Sequence, residues 1–268
     1  MIARFRSTRV EKPWGVCSLP PPFGVADADR VGEIWLDRPD APGWPLLIKY
    51  LFTSARLSIQ VHPDDDQACA RGLARGKEEC WYILDALPGA TLGLGTRHPL
   101  TALELREAAR SGALEALVQW HPVSAGMFVH VPPGTVHAIG AGISLIEVQQ
   151  NSDVTYRLYD YGRPRALHLD DGAAVARAAP YPVETIRTVD PGRSALLLDG
   201  PHFCVAHLTM GNLQPLDGAE DDVAIVPIEG AFVSGCISIG PGEALAMPAQ
   251  AVREAQQSGR FLACWAKV

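Results

Sequence analysis

Three polar side chains stand two residues apart in the run LSIQVHPDDD: Ser58, Gln60 and His62, with Leu57, Ile59 and Val61 as their apolar neighbours. On a strand, successive side chains point to opposite faces, so a hydroxyl, an amide and an imidazole share one face and apolar residues take the other. That pattern predicts one face in a core and the opposite face on a site. Lys77 and Glu79 repeat the two-residue spacing in GKEECWYIL, and His137 follows in PPGTVHAIG. Imidazole nitrogen, carboxylate oxygen and amide oxygen together form a donor set for a borderline divalent cation such as zinc, with one position left for water or substrate. Taken singly, each residue has an ordinary reading. A strand histidine is commonly just hydrogen-bonded, and Lys77 with Glu79 makes a serviceable surface ion pair. Only the set as a whole points to a metal.

The elements that must carry these residues read as short apolar runs punctuated by Gly and Pro: LLIKYLF (46–52), CWYILDAL (80–87), GMFVHVPPG (126–134) and ISLIEVQQ (143–150). This pattern predicts an all-β-dominated chain of sandwich or barrel type. Helical periodicity is expected between Asp64 and Arg75 and from about Thr101 to Trp120, where Thr101 followed by Glu104 is a capping-box signature; the second stretch is a small helical insertion around 99–120. Asp64, Asp65 and Asp66 follow Pro63 and are expected to start a helix, where carboxylates meet the positive end of its dipole, and not to bind calcium. A composition shift at GAAVARAAPYPVE (172–184) marks the expected boundary between a first domain, residues 1–175, and a second β domain, 176–268.

Composition bounds the function classes. The chain has 268 residues, a hydrophobic content of 47%, a net charge of −7 and a pI near 5.6, so no basic surface for coating nucleic acid is expected. No segment reads as a secretory signal or a membrane span, which makes the cytoplasm the expected location. The six cysteines lie far apart without a C-x-x-C pair; they are expected to be reduced and mostly buried.

Gly126, Pro132, Gly134 and His137 fit the second cupin motif, with Ala141 where that pattern ends in asparagine, and Gln60-Val61-His62 takes the place of the first motif's H-x-H. More specifically, PLLIKYLFTSARLSIQVHPDDD, GKEECWYILDALPGA, VPPGTVHAIGAG and IEVQQNSDVTYRLYDYGR resemble type I phosphomannose isomerase, the metal-dependent mannose-6-phosphate isomerase of the cupin superfamily, across roughly residues 45 to 170. The resemblance implies two cupin-like jelly-roll domains, the first catalytic and the second structural, and one divalent ion, zinc before others. It implies Gln60, His62, Glu79 and His137 as metal ligands, and places Lys49, Ser58, Lys77, Glu147, Arg157 and Arg163 around the active site.

The reaction so implied interconverts mannose 6-phosphate and fructose 6-phosphate by moving a proton between C2 and C1 through an enediol. Arg157, always protonated, suits charge stabilisation or ring opening. Glu147 or Lys77 suits proton transfer, with both left open. Ser58 and Arg163 are expected at the phosphate, although Arg163 has an alternative as a bridge to Asp160, and Lys49 as a cation at a strand edge. The stretch VGEIWLDRPDAPGWP is shorter than the family's usual segment and keeps only Gly32, Glu33 and Trp35 of its signature, and Met127 stands where aspartate is common. A reduced pocket wall keeps two alternatives in view: isomerisation of a different phosphosugar, or a non-catalytic sugar-binding cupin. His202 and His207 bring no second ligand set.

Overall fold

The strand Leu46–Phe52, LLIKYLF, is buried along its whole length in the computed structural model, which describes residues 2–24, 30–209, 211–219 and 222–267. A strand with no exposed face must lie inside a stack of sheets. Alternation explains which way each residue goes. Ile48, Tyr50 and Phe52 join a core that includes Phe203, Val205, Val226 and Leu262, whereas Leu51 joins Trp81, Ile83, Leu92 and Leu94 on the other side. Lys49, 4% exposed, points the same way as Leu51, and so breaks an otherwise apolar run.

The stack has three antiparallel layers among the described residues. The middle sheet runs Arg187–Thr188, Met127–Val131, Glu79–Ala86, Ile143–Gln150, Leu46–Phe52, Val31–Asp37 and Arg6–Val16. On one face lies a five-stranded sheet ordered Tyr156–Tyr159, Ile59–Val61, His137–Ile139, Thr91–Thr96 and Val118–Pro122. On the other lies a sheet built mostly from the C-terminal third: Leu245–Pro248, Asp222–Ser234, Gln256–Ala266, Phe203–Thr209 and Ala195–Asp199, with Ile237–Ile239 at its side. Burying large apolar side chains such as Ile48 and Phe203 at under 1% exposure contributes about 1.5–3 kcal/mol each. Arg38 pairs with Asp222 at 3.0 Å, and the Gly242 amide donates to the Tyr50 hydroxyl at 3.1 Å, so polar contacts also join the middle and C-terminal layers.

Strand pairing crosses the anticipated boundary at 175/176 in both directions. Ala3–Arg4 pairs with Leu245–Pro248 in the C-terminal sheet, and Arg187–Thr188 pairs with Met127–Val131 in the middle sheet. The helices are shorter than the periodicity suggests. Asp64 does cap a helix, with a reciprocal Gln67 capping box, but the helix covers only Asp65–Cys69 before the left-handed Gly72. The Thr101/Glu104 capping box starts Ala102–Ser111, left-handed Gly112 ends it, and a single turn at Leu114–Leu117 precedes a strand. These helices bury Leu105, Ala109 and Leu114 against Ile59, Val61 and Leu158, covering the outer face of the five-stranded sheet. Two further helices, Leu169–Val175 and Ala249–Glu254, had no periodic signal of their own. No described helix is long and apolar enough to cross a membrane. The six cysteines are free, three buried and three exposed.

Candidate active site

Ile59 and Val61 are sealed beneath the helices, which turns Ser58, Gln60 and His62 inward toward the middle sheet. Leu57 precedes the paired stretch and faces the interior too, in the core shared with Trp81 and Leu51. Register then assembles the rest. Gln60 lies opposite His137 on one neighbouring strand and Arg157 on the other. In the middle sheet Trp35, Lys49, Glu147 and Trp81 form one transverse row, each paired with the next. Gln149 pairs with Glu79 one row below.

His62, Glu79 and His137 form a buried group able to hold a metal ion, their ligand atoms all within 4.8 Å of one another. His62 Nε2 lies 3.4 Å from Glu79 Oε2, and His137 Nε2 lies 3.3 Å from Glu79 Oε1. Both imidazoles are fixed from behind. His62 Nδ1 is 2.8 Å from the Val154 carbonyl and His137 Nδ1 is 2.8 Å from the Thr135 carbonyl. A carbonyl only accepts, so each Nδ1 carries the proton and each Nε2 is an acceptor beside Glu79, that of His62 also 3.3 Å from Lys77 Nζ. The Glu79 oxygens are fully buried and accept no well-aligned hydrogen bond, although Lys77 Nζ stands 2.9 Å from Oε2. Two lone pairs and an under-satisfied carboxylate converging on one point fit a small cation. Gln60 completes the ring: its amide nitrogen lies 3.3 Å from His137 Nε2, and Ser58 Oγ donates to its oxygen at 3.1 Å. Turning that amide over presents an oxygen donor and lets the Ser58 hydroxyl accept instead.

The electrostatics suit deprotonated ligands. Burial, seconded by the Lys77 ammonium, pushes His62 down to about 3, and burial also lowers His137. Burial alone raises the Glu79 carboxyl, but the Lys77 ammonium beside it holds it well below the usual carboxylate range. Burial alone lowers Lys77, but Glu79 and Glu147 outweigh it and keep the ammonium firmly charged.

A cavity of about 240 Å³ opens above this cluster, and Gln60 and Lys77 stand between the two. Ser58, Lys49, Glu147 and Arg157 line it as well. Lys49 Nζ donates to Glu147 Oε1 at 3.2 Å and sits 5.0 Å above the Trp35 ring; Glu147 Oε2 accepts from Trp81 Nε1 at 3.1 Å. Arg157 donates through Nη1 to the Ala166 carbonyl at 2.8 Å, while its buried Nε has no partner.

Arg163 is the expected site residue that the structure does not bring to the cavity. Its Nη1 lies 2.9 Å from Asp160 Oδ1 and its Nη2 donates to the Arg56 carbonyl. Arg165 lines the cavity instead, aimed by a two-point contact with Asp160 at 2.6 and 2.7 Å. The chain turns between Asp160 and Arg163. Tyr161 at φ 54° and Gly162 at φ 78° are both left-handed, which reverses the chain, and a tyrosine in that conformation gives no signal in sequence. Lys12, Trp14, Glu33, Asp153 and Thr155 also line the cavity without having been assigned a role. Glu33 had a trace, as part of the shortened signature; Lys12 lay unremarked in the charged N-terminal stretch.

No family model matches the chain. Curated relatives do: it is 42% identical over 225 residues to the mannose-6-phosphate isomerase ManA of Bacillus subtilis, covering 80% of this chain and 67% of that one. It is 40% identical over 165 residues to the probable mannose-6-phosphate isomerase GmuF of the same organism, covering 57% of this chain and 52% of the relative. The chain thus spans about half the length of the first such relatives and two thirds of ManA. Among solved structures, a mannose 6-phosphate isomerase from B. subtilis superposes with a TM-score of 0.78 at 25% identity, over 98% of this chain and 99% of that one. A zinc-bound mannose 6-phosphate isomerase shares the fold at a TM-score of 0.69 and 14% identity, over the whole of both chains. An alignment with 42% identity that spans four fifths of the chain and a shared β architecture agree: the chain belongs to the mannose-6-phosphate isomerase family.

Proposed function

We propose that the protein is a zinc-dependent aldose–ketose isomerase that interconverts mannose 6-phosphate and fructose 6-phosphate. The observation that carries this reading is the vertical arrangement: two imidazole Nε2 acceptors and a buried carboxylate lie under a cavity whose walls carry Lys12, Lys49, Lys77, Arg157 and Arg165. A sugar-binding module needs hydroxyl partners but has no use for a cation site beneath them.

Gln60, His62, Glu79 and His137 would hold the zinc. When bound, the ion supplies Lewis-acid polarisation of sugar oxygens near C1 and C2. The chain's own groups do the rest. Glu147, held at both oxygens by Lys49 and Trp81, would move the proton between C2 and C1. Lys77 keeps Glu79 ionised and offers an ammonium donor at the cavity floor. Arg157 keeps unused donors buried beside the cavity, suited to an oxygen that gains charge as the ring opens or the enediol forms. Lys49 completes a cationic wall. At the far side Arg165 and Ser58 suit the phosphate dianion, Arg165 through the Nη1 edge of a guanidinium whose Nε and Nη2 bind Asp160.

On this reading residues 1–175 carry the catalysis as one cupin-like jelly roll and residues 176–268 supply a second cupin-like unit that buttresses the middle sheet, the two exchanging the strands Ala3–Arg4 and Arg187–Thr188. The test is a panel of aldose 6-phosphates offered to zinc-loaded protein in an assay coupled to ketose 6-phosphate. Mannose 6-phosphate turning over fastest, with loss of turnover on chelation, is the expected result. A faster rate with another phosphosugar would favour the alternative raised by the short VGEIWLDRPDAPGWP segment, and no turnover with any would return the site to binding.

A further inference from the structure

Gln149 touches neither the cavity nor the ligand atoms, yet it is fully buried and every hydrogen-bonding atom of its amide is used. Its Oε1 accepts from Lys49 Nζ at 2.6 Å, and its Nε2 donates to the Gln150 carbonyl at 2.9 Å and the Ser152 carbonyl at 2.7 Å. The amide has one orientation only, because an ammonium cannot accept and a carbonyl cannot donate. The turn it grips also has the Ser152 amide donating to the Gln150 carbonyl at 2.7 Å. Two residues further on, Val154 offers the carbonyl that holds His62 Nδ1–H, and Asp153 and Thr155 line the cavity. One side chain therefore joins the cationic wall to the strap that sets a histidine tautomer.

We propose that Gln149 is a positioning residue that sets His62 for metal binding through the 150–154 turn while holding Lys49 in the cavity wall. His137 provides an internal control, since its tautomer is set by Thr135 on a separate turn. Gln149→Glu keeps the shape and the acceptor for Lys49 but sets a carboxylate oxygen against two carbonyls. Gln149→Met removes both functions at similar volume.

The measurement is the imidazole ¹⁵N spectrum of metal-free protein, read beside zinc affinity by calorimetry and kcat/KM for mannose 6-phosphate. In the wild type both histidines should show a protonated Nδ1. In both variants His62 should shift toward a mixture of tautomers while His137 keeps its signals, and zinc affinity and kcat/KM should each fall at least about tenfold. If one variant fails to fold, the other carries the test. An unchanged His62 spectrum overturns the proposal whatever the activity does, and so do His62 and His137 changing together, which would mean general disruption. The inference rests on the isomerase reading only for its kinetic arm. An inactive wild type would sink that reading, while the imidazole signals would still decide the role of Gln149.

Discussion

Gln60 and Arg157 stand directly opposite each other on neighbouring strands, and across its other edge Gln60 faces His137. A row of three residues thus runs from the His62–Glu79–His137 group to the guanidinium at the cavity. Replacing Arg157 by Lys keeps the charge but loses the planar fork of donors. We expect kcat to fall at least about tenfold with zinc content and KM little changed, as for an interaction made chiefly in the transition state. Steady-state kinetics beside metal analysis checks this, and an unaltered kcat would make Arg157 a structural residue tied to the Ala166 carbonyl.

The ligand assignment makes a separate prediction. Protein purified without added zinc should hold about one equivalent of a transition metal, and His62→Ala or His137→Ala should each lose most of it. Elemental analysis decides: metal content unaffected by either substitution would place the ion elsewhere.

Arg163 and Arg165 share Asp160, but only Arg165 lines the cavity. Charge-assisted hydrogen bonds to a dianion contribute about 1.5–3 kcal/mol each, so Arg165→Ala should lower kcat/KM for mannose 6-phosphate roughly ten- to a hundredfold. Unphosphorylated mannose should be affected far less. Arg163→Ala should cost stability and leave the ratio of the two sugars as it was. The reverse pattern would restore Arg163 to the phosphate.

This pair also shows where sequence reading stops. The two-residue spacing of Ser58, Gln60 and His62 was legible because strand alternation is a local rule, and the structure puts all three on the inner face. Lys49 in LLIKYLF was expected around the active site or as a cation at a strand edge; its burial, in a row running from Trp35 to Trp81, needs the register of four strands. The turn between Asp160 and Arg163 holds left-handed Tyr161, which no propensity announces. Likewise Ala3–Arg4 crosses to the C-terminal sheet through long-range pairing that no local pattern carries. Helix starts were marked by caps at Asp64 and Thr101, whereas the first helix already gives way at Ala70 and the second stops where Gly112 turns left-handed.

Glu33 gives a pH dependence with a definite sign. Burial alone raises its carboxyl, but Lys49, Lys12 and the Trp35 indole outweigh burial and hold it below the ordinary value. A carboxyl that ionises more readily folded than unfolded adds stability that is complete above the unfolded value of about 4.3 and is lost as pH falls through the lower folded value. Trp35 Nε1 donates to it at 2.6 Å, and a hydrogen bond to a charged group contributes about 1.5–3 kcal/mol. Glu33→Gln should therefore destabilise the protein by about that amount at neutral pH, with the gap to wild type closing below about pH 4. Denaturation midpoints at pH 7 and pH 3.5 test it; a gap that stays constant would remove the ionised carboxylate from the explanation.

The central claim is proton transfer on a phosphosugar above a bound metal, and one ¹H NMR time course in D₂O addresses it. Zinc-loaded protein is incubated with mannose 6-phosphate, and the C1 and C2 signals of substrate and product are followed. The account predicts fructose 6-phosphate with deuterium entering at the carbon that receives the proton, in whole or in part as the transferring group exchanges with solvent, and no product once zinc is removed by chelation. Mannose 6-phosphate left intact by protein shown to hold its full equivalent of zinc would contradict it.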